Sequence, residues 1–200
     1  MTQEQKQVFK AIGIYAKQHN VPIIMQSAAA VLCEQCNKKQ PKKILEIGMA
    51  IGYSGSLMLL SSSADTHLTS IELSTPNIQE ATKNFARLNL TERVTILEGD
   101  CIEVLSELKD KFDFVFLDGP KALYLDCLPL ILRLCTKGAV IVADNMNYSR
   151  RAHNALSPER SKRIEQSLEE FKQAVISSPK LKSEFLNIDD GLVVINYLGD

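Results

Sequence analysis

Short apolar runs alternate along this chain with longer stretches in which apolar residues recur every three or four positions. The runs at 43–47, 68–72, 94–98, 112–117 and 139–143 are rich in Ile, Val, Leu and Phe. That composition is expected of strands buried on both faces. The intervening stretches at 53–62, 75–88, 102–108 and 124–134 read as helices. Thr75-Pro76 reads as an N-cap followed by proline at the first helical position, and Gly138 punctuates the approach to the fifth strand. Ahead of the first strand, 2–18 and 26–35 read as two helices around a break at Val21-Pro22-Ile23. Beyond the fifth strand come a polar amphipathic helix at 158–176 and strand-like runs at 181–186 and 192–197. Asp189-Asp190-Gly191 between those runs has the composition of a hairpin turn. Strand–helix alternation predicts an α/β fold: a Rossmann-like, doubly wound seven-stranded sheet, mostly parallel with a reversed last strand and helices on both faces. One domain over 1–200 is expected, with N-terminal helices at 1–40, a cofactor-binding core at 42–145, and a helix and hairpin at 146–200.

Two hundred residues with 45% hydrophobic content suffice for one such core. The formal net charge of −1 points to neither a nucleic-acid nor a membrane partner. The start of the chain is polar, and no apolar run approaches the roughly 18 residues that a membrane span needs. A cytoplasmic protein without a targeting segment is therefore expected. The five cysteines, odd in number and scattered, fit reduced thiols. Cys33-Glu-Gln-Cys36 has a motif-like spacing, but neither a second pair nor clustered histidines complete a zinc set. Its helical context makes these ordinary helix cysteines.

Candidate chemistry begins where the first strand ends, at Glu46, Gly48 and Gly52, spaced E-x-G-x-x-x-G with Ala50 between the glycines. A glycine turn between a parallel strand and a helix lets backbone amides approach a nucleoside cofactor. The dinucleotide pattern G-x-G-x-x-G is not met, which favours S-adenosylmethionine, a cofactor with no pyrophosphate to cradle. Glu72 ends the second strand 20 positions after Gly52, where an acidic residue accepts the ribose hydroxyls. Asp100 either accepts the adenine amino group or caps the helix after it, and the Cys101 amide can serve the adenine instead. Ser54 reads as a helix-start hydroxyl, as a donor to the cofactor's methionine carboxylate, or as both. Glu46 faces the same turn and can hold the cofactor's amino group; a charge at the end of a buried strand otherwise needs an explanation.

Asp118 ends the fourth strand and Asp144-Asn145 the fifth. Neighbouring strands lie about 5 Å apart, so the three oxygen-bearing side chains are expected to converge beside the cofactor crevice. Two carboxylates and an amide form a hard oxygen set suited to Mg²⁺ foremost, or to Mn²⁺ or Ca²⁺. Asp118 is thereby placed against metal, cofactor and reacting atoms alike. Lys121 follows three residues later at a helix start, where a cation opposes the helix dipole. A solvent-exposed lysine is the plain alternative; beside a cation, a depressed pKa makes it a general base.

These segments resemble those of the metal-dependent O-methyltransferases of the catechol and caffeoyl-CoA type. Leu45-Glu-Ile-Gly-Met-Ala-Ile-Gly-Tyr-Ser54 is similar to that family's first cofactor motif. Phe116-Leu-Asp-Gly-Pro-Lys-Ala-Leu-Tyr124 resembles its segment with a metal aspartate and catalytic lysine, Ala143-Asp-Asn145 its paired metal ligands, and Asp190-Gly191-Leu192 its closing turn. Within the family, Tyr15 to Ile24 looks like the opening of short bacterial members, which include tRNA 5-hydroxyuridine methyltransferases; there the position of Ile24 touches the cofactor. The resemblance implies S-adenosylmethionine, a divalent cation, a hydroxyl acceptor and commonly a homodimer. The acceptor is then a small molecule with vicinal oxygens, or alternatively tRNA. Met25-Gln26-Ser27 stands where the family often has a glutamate, and Gly119-Pro120 is an unusual spacer.

The stretch 147–163 sets Arg150, Arg151, Arg160, Lys162 and Arg163 against Glu159. It reads either as a phosphate-contacting border of the acceptor site or, more plainly, as a solvated loop and helix face. Two other classes compete: a nicotinamide oxidoreductase on the same sheet, and a non-catalytic protein retaining the cofactor pocket. The first lacks a tyrosine followed four residues later by lysine.

Overall fold

The computed structural model describes residues 1–147 and 157–199. Helices α1 (Gln3–His19) and α2 (Gln26–Lys39) precede an alternating series. It runs β1 (Lys43–Ile47), α3 (Tyr53–Leu60), β2 (His67–Glu72), α4 (Thr75–Arg87), β3 (Val94–Glu98), α5 (Cys101–Glu107), β4 (Phe112–Leu117), α6 (Tyr124–Leu134) and β5 (Cys135–Asp144). Helix α7 (Pro158–Ser177) and the hairpin β6 (Leu181–Leu186) and β7 (Leu192–Tyr197) complete it. The strands form one sheet in the order β3-β2-β1-β4-β5-β7-β6. Strands β1 to β5 are parallel, whereas β7 runs antiparallel to both β5 and β6. The reversed strand is thus slotted inside the sheet, with β6 outside it.

Alternation along the central strands divides the core into two layers. Leu45, Ile47, Val115, Leu117 and Ile141 face α5, α6 and α7, whose Leu105, Ile131 and Phe171 complete that side. Ile44, Phe114, Phe116, Val140 and Val142 face Ile12, Leu32, Met58 and Phe85 of α1 to α4. Both faces are covered, so these strands read as unbroken apolar runs in the sequence.

Several boundaries differ from the sequence reading. Helix α2 continues to Lys39 rather than ending at 35 and closes on Gln40 in the left-handed conformation. Polar residues continue its exposed face without breaking the helix. Strand β5 starts at Cys135, before Gly138, and its register with β4 shifts between Phe112 and Phe114. Ser74, not Thr75, occupies the N-cap of α4; Thr75 is helical and its hydroxyl donates to Glu98 Oε1 at 2.6 Å. Cys33 and Cys36 lie one turn apart on α2, with Cys36 buried and its thiol pKa pushed up by that burial. No helix among the described residues is long and apolar enough to cross a membrane.

Strand order reverses at β1, whose neighbours β2 and β4 connect in opposite directions, and crevices in open α/β sheets form at that point. There the Gly48 and Met49 amides both donate to Ile71 O, at 3.0 and 3.2 Å, and the Asp118 amide donates to Ile47 O at 2.9 Å. Gly48 has φ +93°, and a Cβ on it would lie 2.5 Å from the Asp118 carbonyl oxygen. Gly48→Ala is therefore expected to force the tips of β1 and β4 apart and cost about 2 kcal/mol or more, measured as a lower urea midpoint with unchanged slope.

Candidate active site

A cavity of about 410 Å³ opens over the carboxyl ends of β1, β2, β4 and β5. Its lining includes Ile24, Gly48, Glu72, Asp100, Cys101, Asp118, Lys121, Asp144 and Asn145, residues that the sequence assigned to cofactor, metal and catalysis. Two others singled out there, Glu46 and Ser54, are not part of it.

Glu72 is held by three backbone amides. Its Oε2 accepts from Ala50 N at 2.8 Å, and its Oε1 accepts from Leu73 N at 3.0 Å and Ser74 N at 2.9 Å. Ala50 reaches that oxygen because it adopts φ +46° within the glycine turn. The turn and the end of β2 thus fix the carboxylate at the cavity wall, with Oε2 accepting one amide where Oε1 accepts two. Asp100 caps α5: its Oδ1 accepts from Ile102 N at 2.8 Å and Glu103 N at 3.4 Å. Of the two roles open in the sequence, capping is the one its side chain fills, and it still borders the cavity with Cys101.

Glu46 lies beneath the turn, fully buried. Ser54 Oγ donates to its Oε1 and Ser70 Oγ to its Oε2, each at 2.5 Å. The buried strand-end charge is therefore explained by two hydroxyls rather than by exposure to a ligand. Burial pushes the Glu46 carboxyl up to about 7, helped by Asp118 and Glu72 and opposed by the two hydroxyls. Ser54 is a helix-start hydroxyl, and its proton goes to Glu46.

The Leu117–Ala143 register pair sets Asp118 and Asp144 side by side, one residue beyond the last ladder position of β4 and β5. Asp144 is only 4% exposed, and its Oδ1 accepts from the next amide, Asn145 N, at 2.7 Å. Burial pushes its carboxyl up to about 7; Asp118 and, more weakly, Asp190 add to this, while the Asn145 amide and Lys121 oppose it. Asn145 turns out of β5 at φ +59° and lines the cavity. Lys121 stands on a short 3-10 turn, Lys121–Leu123, and its Nζ donates to Asp118 Oδ1 at 2.8 Å. That amine also lies 5.9 Å from the centre of the Tyr124 ring.

Among the described residues, no three His, Cys, Asp or Glu side chains cluster at metal-binding spacing. The set formed by Asp118, Asp144 and Asn145 holds two carboxylates and one amide, so water or a chelating acceptor must complete a coordination shell. It fits a hard divalent cation because all three oxygen-bearing residues line one cavity and Asp144 is a buried carboxylate.

Sequence reasoning missed several contributors. Pro22, Leu73, Asn77 and Asp190 line the cavity; Asn77 follows Glu72 by five residues within the first turns of α4, a position open to inspection. Tyr124 closes the Phe116–Tyr124 segment. Its fully buried hydroxyl is 3.0 Å from Leu117 O and 3.2 Å from Asp144 O, so it ties the tips of β4 and β5 together. Arg150 and Arg151 lie outside the described residues, while Arg160, Lys162 and Arg163 are exposed on the first turns of α7.

The sheet, its switch point and the acid-lined crevice define a nucleoside-cofactor-binding α/β domain. Residues 6–198 match the family model described as O-methyltransferase, and the chain belongs to that family. It is 35% identical over 111 residues to a catechol O-methyltransferase of Niastella koreensis, a match covering 54% of this chain and 50% of that protein. The matched stretch spans about half the length of the bacterial catechol relatives. Among solved structures, a candidate caffeoyl-CoA O-methyltransferase from Staphylococcus aureus superposes with a TM-score of 0.84 at 27% identity, covering 94% of this chain and 91% of that one. An O-methyltransferase from Bacillus cereus in complex with SAH shares the fold at a TM-score of 0.82 and 22% identity, covering 96% and 90%. Membership in this family overturns the nicotinamide oxidoreductase alternative.

The state of Asp144 yields a pH prediction. A carboxyl raised from 3.8 to about 7 binds more protons folded than unfolded, so its contribution to stability falls as pH rises from about 4 to 7. In EDTA, Asp144→Asn is expected to gain stability relative to wild type across that window, with the difference level above it. Thermal melts at stepped pH measure this, and added Mg²⁺ should stabilise the wild type more than the variant.

Proposed function

We propose that this chain is an S-adenosylmethionine-dependent O-methyltransferase assisted by a divalent cation and acting on a small acceptor with two adjacent oxygens, such as a catechol. The observation that carries the reading is that Asp118, Asp144, Asn145 and Lys121 share one cavity with Glu72.

S-adenosylmethionine supplies an electrophilic methyl on a positively charged sulfur. Glu72, already oriented by three amides, accepts hydrogen bonds from the cofactor's ribose hydroxyls. Asp100 and Cys101 border the adenine end, and Gly48 lets the chain pass close to the methionine end. Ile24 and Met25 form an apolar wall against the cofactor. Asp118, Asp144 and Asn145 would hold the cation, which supplies Lewis-acid activation of a chelating hydroxyl. Lys121 Nζ, positioned by Asp118, takes the hydroxyl proton. The acceptor oxygen then forms its bond to the methyl carbon as the carbon–sulfur bond breaks, and the protein's contribution is alignment of the three atoms.

The tRNA 5-hydroxyuridine alternative draws no support from the comparisons, and part of the basic stretch behind it lies outside the described residues. A non-catalytic binding protein is separated from an enzyme by turnover.

Transfer of labelled methyl from S-adenosylmethionine, with and without EDTA, to catechol-type compounds and to tRNA tests the proposal. Label on the catechol that EDTA abolishes supports it; label on tRNA alone, or none on either, overturns it. Lys121→Ala is expected to lower kcat about a hundredfold or more while calorimetric affinity for S-adenosylmethionine stays near wild type. Unchanged kcat with saturating Mg²⁺ removes Lys121 as the base.

A further inference from the structure

The β6–β7 turn carries a carboxylate that the methyl-transfer reading leaves unused. Asp189, at φ +47°, accepts a hydrogen bond through Oδ2 from the Ala28 backbone N–H at 2.9 Å, across 161 residues of sequence. Ala28 lies in the first turn of α2, where backbone amides have no partner within the helix. Met25 at the N-cap offers no side-chain acceptor, and that first turn has no acidic residue. Asp189 fills the vacancy from a distance, setting a full negative charge against the positive end of the helix.

The same turn is fastened on its other side. Asp190 O accepts from Asn147 N at 2.7 Å and Gly191 O from Met146 N at 2.9 Å, just behind Asn145. Ile24 and Met25, immediately before α2, form a wall of the cavity. Ile24 is packed in the core, whereas Met25 is 47% exposed, so core packing does not hold the end of that wall.

We propose that Asp189 is a positioning residue whose carboxylate latches the start of α2 to the β6–β7 turn and so holds Ile24 and Met25 against the bound cofactor. The proposal deepens the methyltransferase reading and rests on it for the identity of that cofactor. Without the latch, the wall must be ordered during binding, and affinity drops. The Asp189 carboxylate bonds to α2 and not to Asp118, Lys121 or Asp144, and the backbone bonds of the turn to residues 146–147 do not involve it, so the chemical step keeps its rate.

The test titrates S-adenosylmethionine into the full chain by calorimetry for wild type, Asp189→Ala, Asp189→Asn and, as a control on β6, Glu184→Ala. Asp189→Ala is expected to raise Kd about fivefold, and Asp189→Asn, which keeps an acceptor oxygen, to remain within about twofold of wild type. In methyl-transfer assays, KM for S-adenosylmethionine should rise in parallel while kcat stays within about twofold. Wild-type affinity in Asp189→Ala, or a fall in kcat at unchanged Kd, overturns the latch. If the wild type itself fails to bind S-adenosylmethionine, the cofactor reading falls instead. Amide exchange over residues 23–29 then decides the contact: faster exchange in Asp189→Ala than in Glu184→Ala upholds it, and equal exchange overturns it.

Discussion

Two parallel strands that end level with each other set the geometry of this site. The Leu117–Ala143 pairing leaves Asp118 and Asp144 at adjacent strand tips, about 5 Å apart in the hydrogen-bonding direction. Like charges at that separation repel, and burial of Asp144 adds a desolvation cost. The fold offsets this from beneath. The buried Tyr124 hydroxyl lies within reach of both Leu117 O and Asp144 O, and its ring packs edge-on against Phe171 of α7 at 5.6 Å. Ser167 of α7 donates to Ala122 O at 3.0 Å, securing the turn that carries Lys121. Helix α7 thus braces the reacting side of the cavity without lining it.

How far the sequence discloses this depends on the range of each interaction. Central strands are apolar on both faces, so β1 and β4 are legible from composition alone. Asp118, Asp144 and Glu72 are legible too, because a carboxylate at the end of such a run has few structural reasons to be there. Local rules fail where tolerance is bought elsewhere: Gly138 sits inside β5 at φ +79°, with the β4 register shift around it. Longer-range partners are hidden altogether. Glu46 looked ligand-facing because its acceptors are satisfied by Ser54 and Ser70, 8 and 24 residues away. Asp189 looked like a turn former because the helix it caps lies at the opposite end of the chain.

The charge around the cavity bears on what can enter it. Among the described residues, Glu72, Asp100, Asp118, Asp144 and Asp190 line it against one basic residue, Lys121, which is already paired with Asp118. Such a crevice repels a pyrophosphate, which agrees with the missing G-x-G-x-x-G pattern at the glycine turn. It attracts a sulfonium and a divalent cation, each of which relieves the mutual repulsion of the carboxylates. The same field disfavours a polyanionic backbone inside the cavity, so any nucleic acid would have to present a base without its phosphates. A neutral small molecule meets no such barrier.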